Sequence, residues 1–164
     1  MRHLAIAPAL AFLAACASGR AGPSATGSAP AAVAPAPLVE LRDVLVLADG
    51  GAAPSPGILA LAGARVRVRG WLVAFEEPLE DGFWLASRPL RQDESGAGTG
   101  DLPPRSVRVL APAAVVQALP ADPAPLEATG RLEVGRAVDA EGRASVVRVV
   151  VEDSRDVSRL AAPR

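Results

Sequence analysis

The sequence has few of the side chains on which most enzyme active sites are built. Its 164 residues include one cysteine, one histidine and no tyrosine, and all 17 basic residues are arginine. A single cysteine excludes an internal disulfide framework. The formal net charge is -1, so the chain lacks the excess positive charge of a general nucleic-acid-binding protein. Nucleic acid is therefore not an expected partner.

The first sixteen residues have the pattern of an export signal. A short basic start is followed by an apolar stretch from Leu4 to Leu13, which is too short to span a membrane as a permanent helix. The sequence Leu13-Ala14-Ala15-Cys16 resembles a bacterial lipobox. This resemblance implies that residues 1–15 are removed as a lipoprotein signal peptide and that Cys16 carries a lipid anchor.

The residue after the cysteine is Ala17 rather than aspartate, as in lipoproteins that are sent onward to an outer membrane. The resemblance therefore implies a lipid-anchored protein of the bacterial cell envelope, in the outer membrane and facing the periplasm. Removal of residues 1–15 would also remove His3, and lipidation would use the only thiol. A Cys/His zinc site, a Ser-His-Asp triad and a redox dithiol are then excluded, and no cofactor or metal is expected.

Residues 16–37 predict a disordered linker after the lipidated cysteine. Nineteen of the 21 residues from Ala17 to Pro37 are alanine, glycine, proline, serine or threonine, a composition that cannot bury enough apolar surface to fold. As a flexible coil this segment would span about 25 Å. Residues 38–164 then form the folded domain.

The folded domain is predicted to be all-β. Five segments have the alternating or β-branched composition of strands, and a short helix is predicted over Pro112–Leu119, where proline stands in the first turn. The predicted strands are Ala64–Phe75, Phe83–Ala86, Ser106–Leu110, Pro125–Val134 and Ala144–Glu152. This order, with the helix between the third and fourth strands, resembles an OB-fold, a small five-stranded Greek-key barrel, over residues 62–153.

Three other segments connect or precede these elements. Residues 38–47 fit either an edge strand or a short helix. Residues 49–57 are predicted to be a loop because they are rich in glycine, proline and alanine. Residues 88–105 are predicted to be a long loop.

A second resemblance covers part of the same domain. The segment VRVRGWLVAFEEPLE at 66–80, the following Phe83-Trp84-Leu85 and the later Leu102-Pro103-Pro104 resemble an uncharacterised family of exported bacterial proteins. In that family the proline-rich loop also carries cysteine and histidine. This chain has neither residue there, so no metal or redox role is carried over.

The candidate binding residues are Arg67, Arg69, Trp71 and Trp84. The arginines belong to a period-two cationic stripe, and adjacent Phe83 and Trp84 must point to opposite faces of their strand. An exposed aromatic side chain on such a barrel could stack against a ring of a ligand. The favoured alternatives are that Trp84 or Trp71 is packed under the loop at residues 88–105 or under residues 38–47, and that the arginines form cross-strand ion pairs.

Clustered carboxylates suggest two further chemistries. Glu76, Glu77, Glu80 and Asp81 could act as the acid and base of a glycan hydrolase, and Asp93, Glu94 and Asp101 could help to hold a hard cation. Neither set has a known motif spacing, so a solvated turn and a solvated loop are the alternatives. We therefore expect a non-catalytic binding domain whose partner is an envelope protein or an oligosaccharide. A carboxylate-dependent hydrolase and a purely structural envelope protein are the alternative functions.

Overall fold

A computed structural model describes residues 35–48, 51–92, 102–139 and 142–161. The predicted signal peptide, Cys16 and most of the predicted linker lie outside the described residues, as do Asp93, Glu94 and Asp101. No helix in the described part of the chain is long and apolar enough to cross a membrane. Residues Ala34–Arg164 belong to one compact unit.

The described residues of this unit are mostly β-strand, as predicted, with two short α-helices. The helices are α1 (Pro56–Ala60) and α2 (Ala113–Gln117). The strands are β1 (Leu38–Glu40), β2 (Leu45–Ala48), β3 (Gly51–Pro54), β4 (Arg65–Phe75), β5 (Gly82–Ala86), β6 (Leu90–Gln92), β7 (Val107–Leu110), β8 (Pro125–Val138), β9 (Ala144–Val150) and β10 (Val157–Arg159).

Five of these strands pair in a closed circuit. Strand β4 pairs antiparallel with β5, β5 pairs antiparallel with β7, β7 pairs parallel with β9, β9 pairs antiparallel with β8, and β8 returns antiparallel to β4. These are the five strands that the sequence predicts, and α2 lies between β7 and β8 in the chain, as expected. Because the circuit closes, these strands share one interior.

Strand β4 belongs to both halves of this circuit. Its residues 65–71 pair with β8, whereas Trp71 and Leu72 pair with β5 on the other edge. Gly70 stands at this change of partner, where an added Cβ would lie 3.0 Å from the Ala86 carbonyl oxygen and 3.0 Å from the Leu85 Cβ. Glycine therefore allows β5 to approach β4 closely at this point.

The interior is filled by apolar side chains from alternate positions of the five strands. Val66, Val68 and Leu72 of β4 are buried, as the alternation predicts, and they pack with Leu85 of β5 and Val149 of β9. These residues belong to a buried cluster that also includes Val107, Val109, Leu126, Ala128 and Leu132. Burial of such side chains is the main source of stability in a small domain.

The expected five strands are too few, since the sheet contains eight within the described residues. The additional members are β1, β6 and β10, each of three residues, which pair with β4, β4 and β8 respectively. Strand β6 lies in the segment 88–105 that was predicted to be a loop. A run of three residues is too short for the alternating pattern of a strand to be recognised. These short strands form because the longer strands β4 and β8 offer edges with which they can pair.

The segment around residues 38–57 also differs from expectation. The strand-or-helix ambiguity of residues 38–47 is resolved as β1, a 3-10 turn at Leu41–Asp43 and β2. The predicted loop at residues 49–57 is wrong, because β3 pairs with β2 as a separate hairpin and α1 follows. Ser55 caps α1 by accepting a hydrogen bond from the Ile58 N–H, and Pro56 stands in the first turn. These capping residues were the available signal for the helix.

Candidate functional site

The acidic turn, residues 76–81, connects β4 to β5 and forms one side of a cleft. Leu79 is buried, whereas the glutamates at positions 76, 77 and 80 are exposed. The Asp81 carbonyl accepts a hydrogen bond from the Ala111 N–H at 3.1 Å, and the Asp81 carboxylate pairs with Arg108. The turn is therefore attached at its C-terminal end to β7 and to the residue that follows it.

Helix α2 forms the opposite side of the cleft. It begins after Pro112, and its buried residue Val115 packs into the core cluster inside the five-stranded circuit. Val116 and Leu119 are partly buried and pack against the same core. Because these contacts hold one face of α2 against the core, the helix forms a fixed side of the cleft.

The cleft has a volume of about 680 Å³. Its lining is apolar over most of its extent, with side chains from β4, the acidic turn, β5 and α2. Glu76, Glu80 and Gln117 are the polar side chains of the lining. The apolar lining residues include Val73, Phe75, Pro78, Leu79, Phe83, Val116, Leu119 and Pro120. An apolar concavity with a few polar groups is the usual form of a binding site.

Two of the predicted binding residues, Arg67 and Arg69, meet at one carboxylate. The Arg69 Nε donates to a Glu127 oxygen at 2.5 Å, and the Arg67 Nη1 lies 3.6 Å from the other Glu127 oxygen. The Arg67 Nε also donates to the Ala36 carbonyl at 2.9 Å. The stripe on this face of β4 is therefore partnered within the chain, which is the cross-strand arrangement considered as the alternative.

The two predicted tryptophans lie in different places. Trp71 is half-buried at the point where β4 faces Ala86 on β5 and Pro125 on β8. Trp84 is 3% exposed, so its ring is not available for stacking on the surface. The structure thus brings Arg67 and Arg69 together but does not bring Trp84 to them.

Trp84 belongs to a second buried group on the outer face of the five-stranded circuit, which we call the outer cluster. Its buried members are Val73, Leu79, Trp84 and Ala86, and the partly buried Phe75, Leu90 and Leu102 pack against them. Leu90 comes from β6 and Leu102 from the part of the predicted loop that follows residue 101. The segment predicted as a solvated loop therefore contributes cover to this face of the sheet.

Arg108 lies beside Trp84 and was not among the predicted site residues. Strands β5 and β7 place the two residues opposite each other, and the Arg108 Cζ lies 5.8 Å from the centre of the Trp84 ring. The Arg108 side chain is 2% exposed, whereas that of its ion-pair partner Asp81 is 64% exposed. Burial lowers the pKa of Arg108 from its ordinary value, more than Asp81 and Asp139 raise it.

Two further arginines pair with carboxylates, Arg143 on the turn between β8 and β9 and Arg148 on β9. Arg143 lies 3.5 Å from an Asp139 carboxylate oxygen, and its Cζ stands 4.9 Å from the centre of the Phe75 ring. Arg148, which faces Arg108 across β7 and β9, bonds to Glu133 and to the Gly135 carbonyl. In the described part of the chain, no group of three or more histidine, cysteine, aspartate or glutamate residues is arranged to hold a metal ion.

The comparisons with known proteins give a structural likeness only. No protein-family model matches the chain, and no curated protein matches it. The fold is similar to the crystal structure of a DUF3299 family protein from Pseudomonas aeruginosa PAO1, with a TM-score of 0.44 and 15% sequence identity. The alignment covers 79% of this chain and 100% of that chain.

Proposed function

We propose that this protein is a lipid-anchored envelope protein whose folded part is an OB-like, non-catalytic binding domain. The lipobox Leu13-Ala14-Ala15-Cys16 and the linker composition of residues 17–37 support the anchor. The domain would stand on the periplasmic side of the outer membrane, held by the lipid on Cys16. Attachment through several acyl chains is effectively permanent, because each buried methylene contributes about 0.8 kcal/mol.

The OB-like assignment is supported by the closed circuit of five strands. An OB-fold is a five-stranded, partly open Greek-key barrel. Strands β4, β5, β7, β8 and β9 are five in number and pair in one circuit, in which β7 and β9 are parallel and the other pairs are antiparallel. The helix α2 stands between the third and fourth of them. The additional strands β1, β6 and β10 extend the edges of this unit.

The observation that carries the binding function is the cleft between the acidic turn and α2. Its apolar lining offers a surface that gains free energy when water is displaced. The exposed Glu80 places negative charge at the same site. Such a cleft is complementary to an apolar chain segment with an adjacent positive charge. We assign this occupant to another envelope protein, and an oligosaccharide would be the contrasting result.

The anchor is tested by substituting the only thiol. With Cys16→Ser, the full-length protein should leave the membrane fraction and lose labelling by a fatty-acid analogue. Retention in the membrane with no acyl label on the native protein would contradict the anchor. This result would not bear on the binding cleft, so the lipid anchor and the cleft can be contradicted independently of each other.

The cleft is tested by photo-crosslinking in intact cells. A photoreactive amino acid at Gln117 on α2 would point into the cleft, and the same residue at Ala114, which is exposed on α2 but outside the cleft lining, is the matched control. We expect a protein adduct from position 117 only, and its yield should fall when Glu80→Arg reverses the charge at the cleft. The crosslinked partner peptide, identified by mass spectrometry, should be apolar with an arginine or lysine beside it.

Two outcomes would contradict this assignment. An adduct that is sensitive to glycan-cleaving enzymes rather than to protease would show that the occupant is an oligosaccharide. Equal adducts from positions 114 and 117, or an adduct that Glu80→Arg leaves unchanged, would show that the cleft does not select its partner.

A further inference from the structure

Three side chains on the outer face of β5 and β7 have hydrogen-bond donors without acceptors. The Nε1 of Trp84, the Oγ of Ser106, and the Nε and Nη1 of Arg108 each expose less than 1 Å² and have no hydrogen-bond partner among the described residues. Trp84 and Arg108 face each other across the two strands. Ser106 precedes Arg108 by two residues, so an extended chain places it on the same face.

Buried hydrogen-bond donors without acceptors are unusual in a folded protein. More than nine in ten buried polar groups have a partner, and a buried donor left without one destabilises the fold. Four unpaired donor atoms on one face of two neighbouring strands therefore indicate that a group other than the described side chains supplies the acceptors. All four atoms can donate, and the nitrogen atoms can only donate.

The charge balance indicates the chemical class of the missing partner. The buried guanidinium of Arg108 has one ion pair, to Asp81, and that carboxylate is mostly exposed to water. Water screens an exposed charge much more strongly than a buried one. The lowered pKa of Arg108 agrees with this, since desolvation outweighs the effects of the nearby carboxylates. The buried Asp139 carboxylate also acts on Arg108, but the cation of Arg143 lies 3.5 Å from that carboxylate and acts on Arg108 in the opposite sense. The cation is thus incompletely compensated among the described residues, which favours an anion over a neutral acceptor.

We propose that Trp84, Ser106 and Arg108 form a buried binding site for an oxyanion, either a carboxylate or a tetrahedral phosphate-type group. The site is separate from the cleft, although Leu79 and Val73 take part in both surroundings. The guanidinium would supply charge-assisted hydrogen bonds, and the indole and hydroxyl groups would add neutral ones. Leu90 and Leu102, which are only partly buried over the outer cluster, would have to move for the anion to enter.

The test uses the indole N–H of Trp84 as the reporter. The chain has two tryptophans, so the ¹⁵N-labelled full-length protein in detergent gives two indole signals, and Trp71→Phe identifies which belongs to Trp84. Sodium phosphate and sodium acetate are titrated separately against sodium chloride at matched ionic strength. We expect a saturable shift of the Trp84 signal and no comparable shift of the Trp71 signal.

The two salts distinguish the two sources of the oxyanion. A response to phosphate alone indicates a tetrahedral group, and a response to acetate alone indicates a carboxylate, and either result supports the site. No saturable shift with either salt would overturn it, and the unpaired donors would then be met by trapped water.

Substitutions then assign the binding to these residues. Arg108→Met keeps an unbranched apolar stem but removes the charge and the donors, and it should weaken the affinity about tenfold or more. Arg159→Met removes an exposed arginine on β10 and should leave the affinity unchanged. Ser106→Ala is a small change that keeps the ion pair to Asp81, and it should weaken binding by a smaller factor. Unchanged affinity in both Arg108→Met and Ser106→Ala would contradict the assignment.

Discussion

Strands β5 and β7 carry two buried surfaces that differ in chemistry. On the inner side, Leu85, Val107 and Val109 are fully buried among apolar neighbours. On the outer side, Trp84 and Arg108 are also buried, but they retain polar atoms that have no partner among the described residues. Equal burial therefore does not mean an equal contribution to stability, because the inner surface gains from lost water contacts whereas the outer surface incurs the desolvation of a cation.

The largest effect is expected on the inner surface. Leu85→Ala removes a side chain with no exposed area and should lower the free energy of unfolding by about 2–5 kcal/mol, through lost burial and the cavity that remains. Urea unfolding of the full-length protein measures this change. If the free energy of unfolding falls by less than about 1 kcal/mol, the neighbouring side chains have moved to fill the cavity. Packing of this interior would then not be the main source of stability.

The second prediction concerns the buried cation of the outer surface. Arg108→Met keeps the apolar volume and returns the mostly exposed Asp81 to water, so the free energy of unfolding should change by less than about 1 kcal/mol or increase. Arg108→Ala should cost about 2 kcal/mol more than Arg108→Met, because it also leaves a cavity. The two variants are compared by urea unfolding in buffer without oxyanions. Equal large losses in both would show that the Arg108–Asp81 ion pair itself stabilises the fold.

The sequence predicted the inner surface much better than the outer one. Alternation in β4 identified Val66, Val68 and Leu72 as core residues because a period of two is a property of the strand alone. Arg108 alternates in the same way with Val107 and Val109, so its outward direction could have been inferred. Its burial could not, because the cover comes from Leu90 and Leu102, which the strand pattern does not specify.

The cleft was unpredictable for a related reason. Both the acidic turn and the helix at residues 112–119 were identified from the sequence, but their proximity depends on the pairing of β5 with β7. Short strands such as β6 and β10 were missed because only the neighbouring strand edges stabilise them. Local patterns thus predicted elements, whereas contacts distant in sequence determined the candidate sites.

A smaller effect is expected where arginines remain partly in contact with water. Glu127→Gln removes the carboxylate shared by Arg67 and Arg69, and the free energy of unfolding should fall by about 1 kcal/mol, less at high salt. Asp122→Asn, which breaks the exposed pair with Arg91, is the control and should have almost no effect. A Glu127→Gln loss that does not respond to salt would indicate a role in packing rather than in ion pairing.

The smallest effect is expected at a surface ion pair, Arg155–Asp153, whose side chains are far more exposed than that of Arg108. Hydrogen bonds from the side chain and the backbone N–H of Arg155 hold the pKa of Asp153 below its ordinary value of 3.8. The stabilisation from this carboxylate is therefore complete above the unfolded-state pKa and is lost as the pH falls through the lower folded-state pKa. Asp153→Asn can still accept the backbone hydrogen bond, so it should lower the unfolding temperature slightly at neutral pH. This difference should close as the pH falls below 3.8, and a difference that persists at every pH would show that the charge of Asp153 is not responsible.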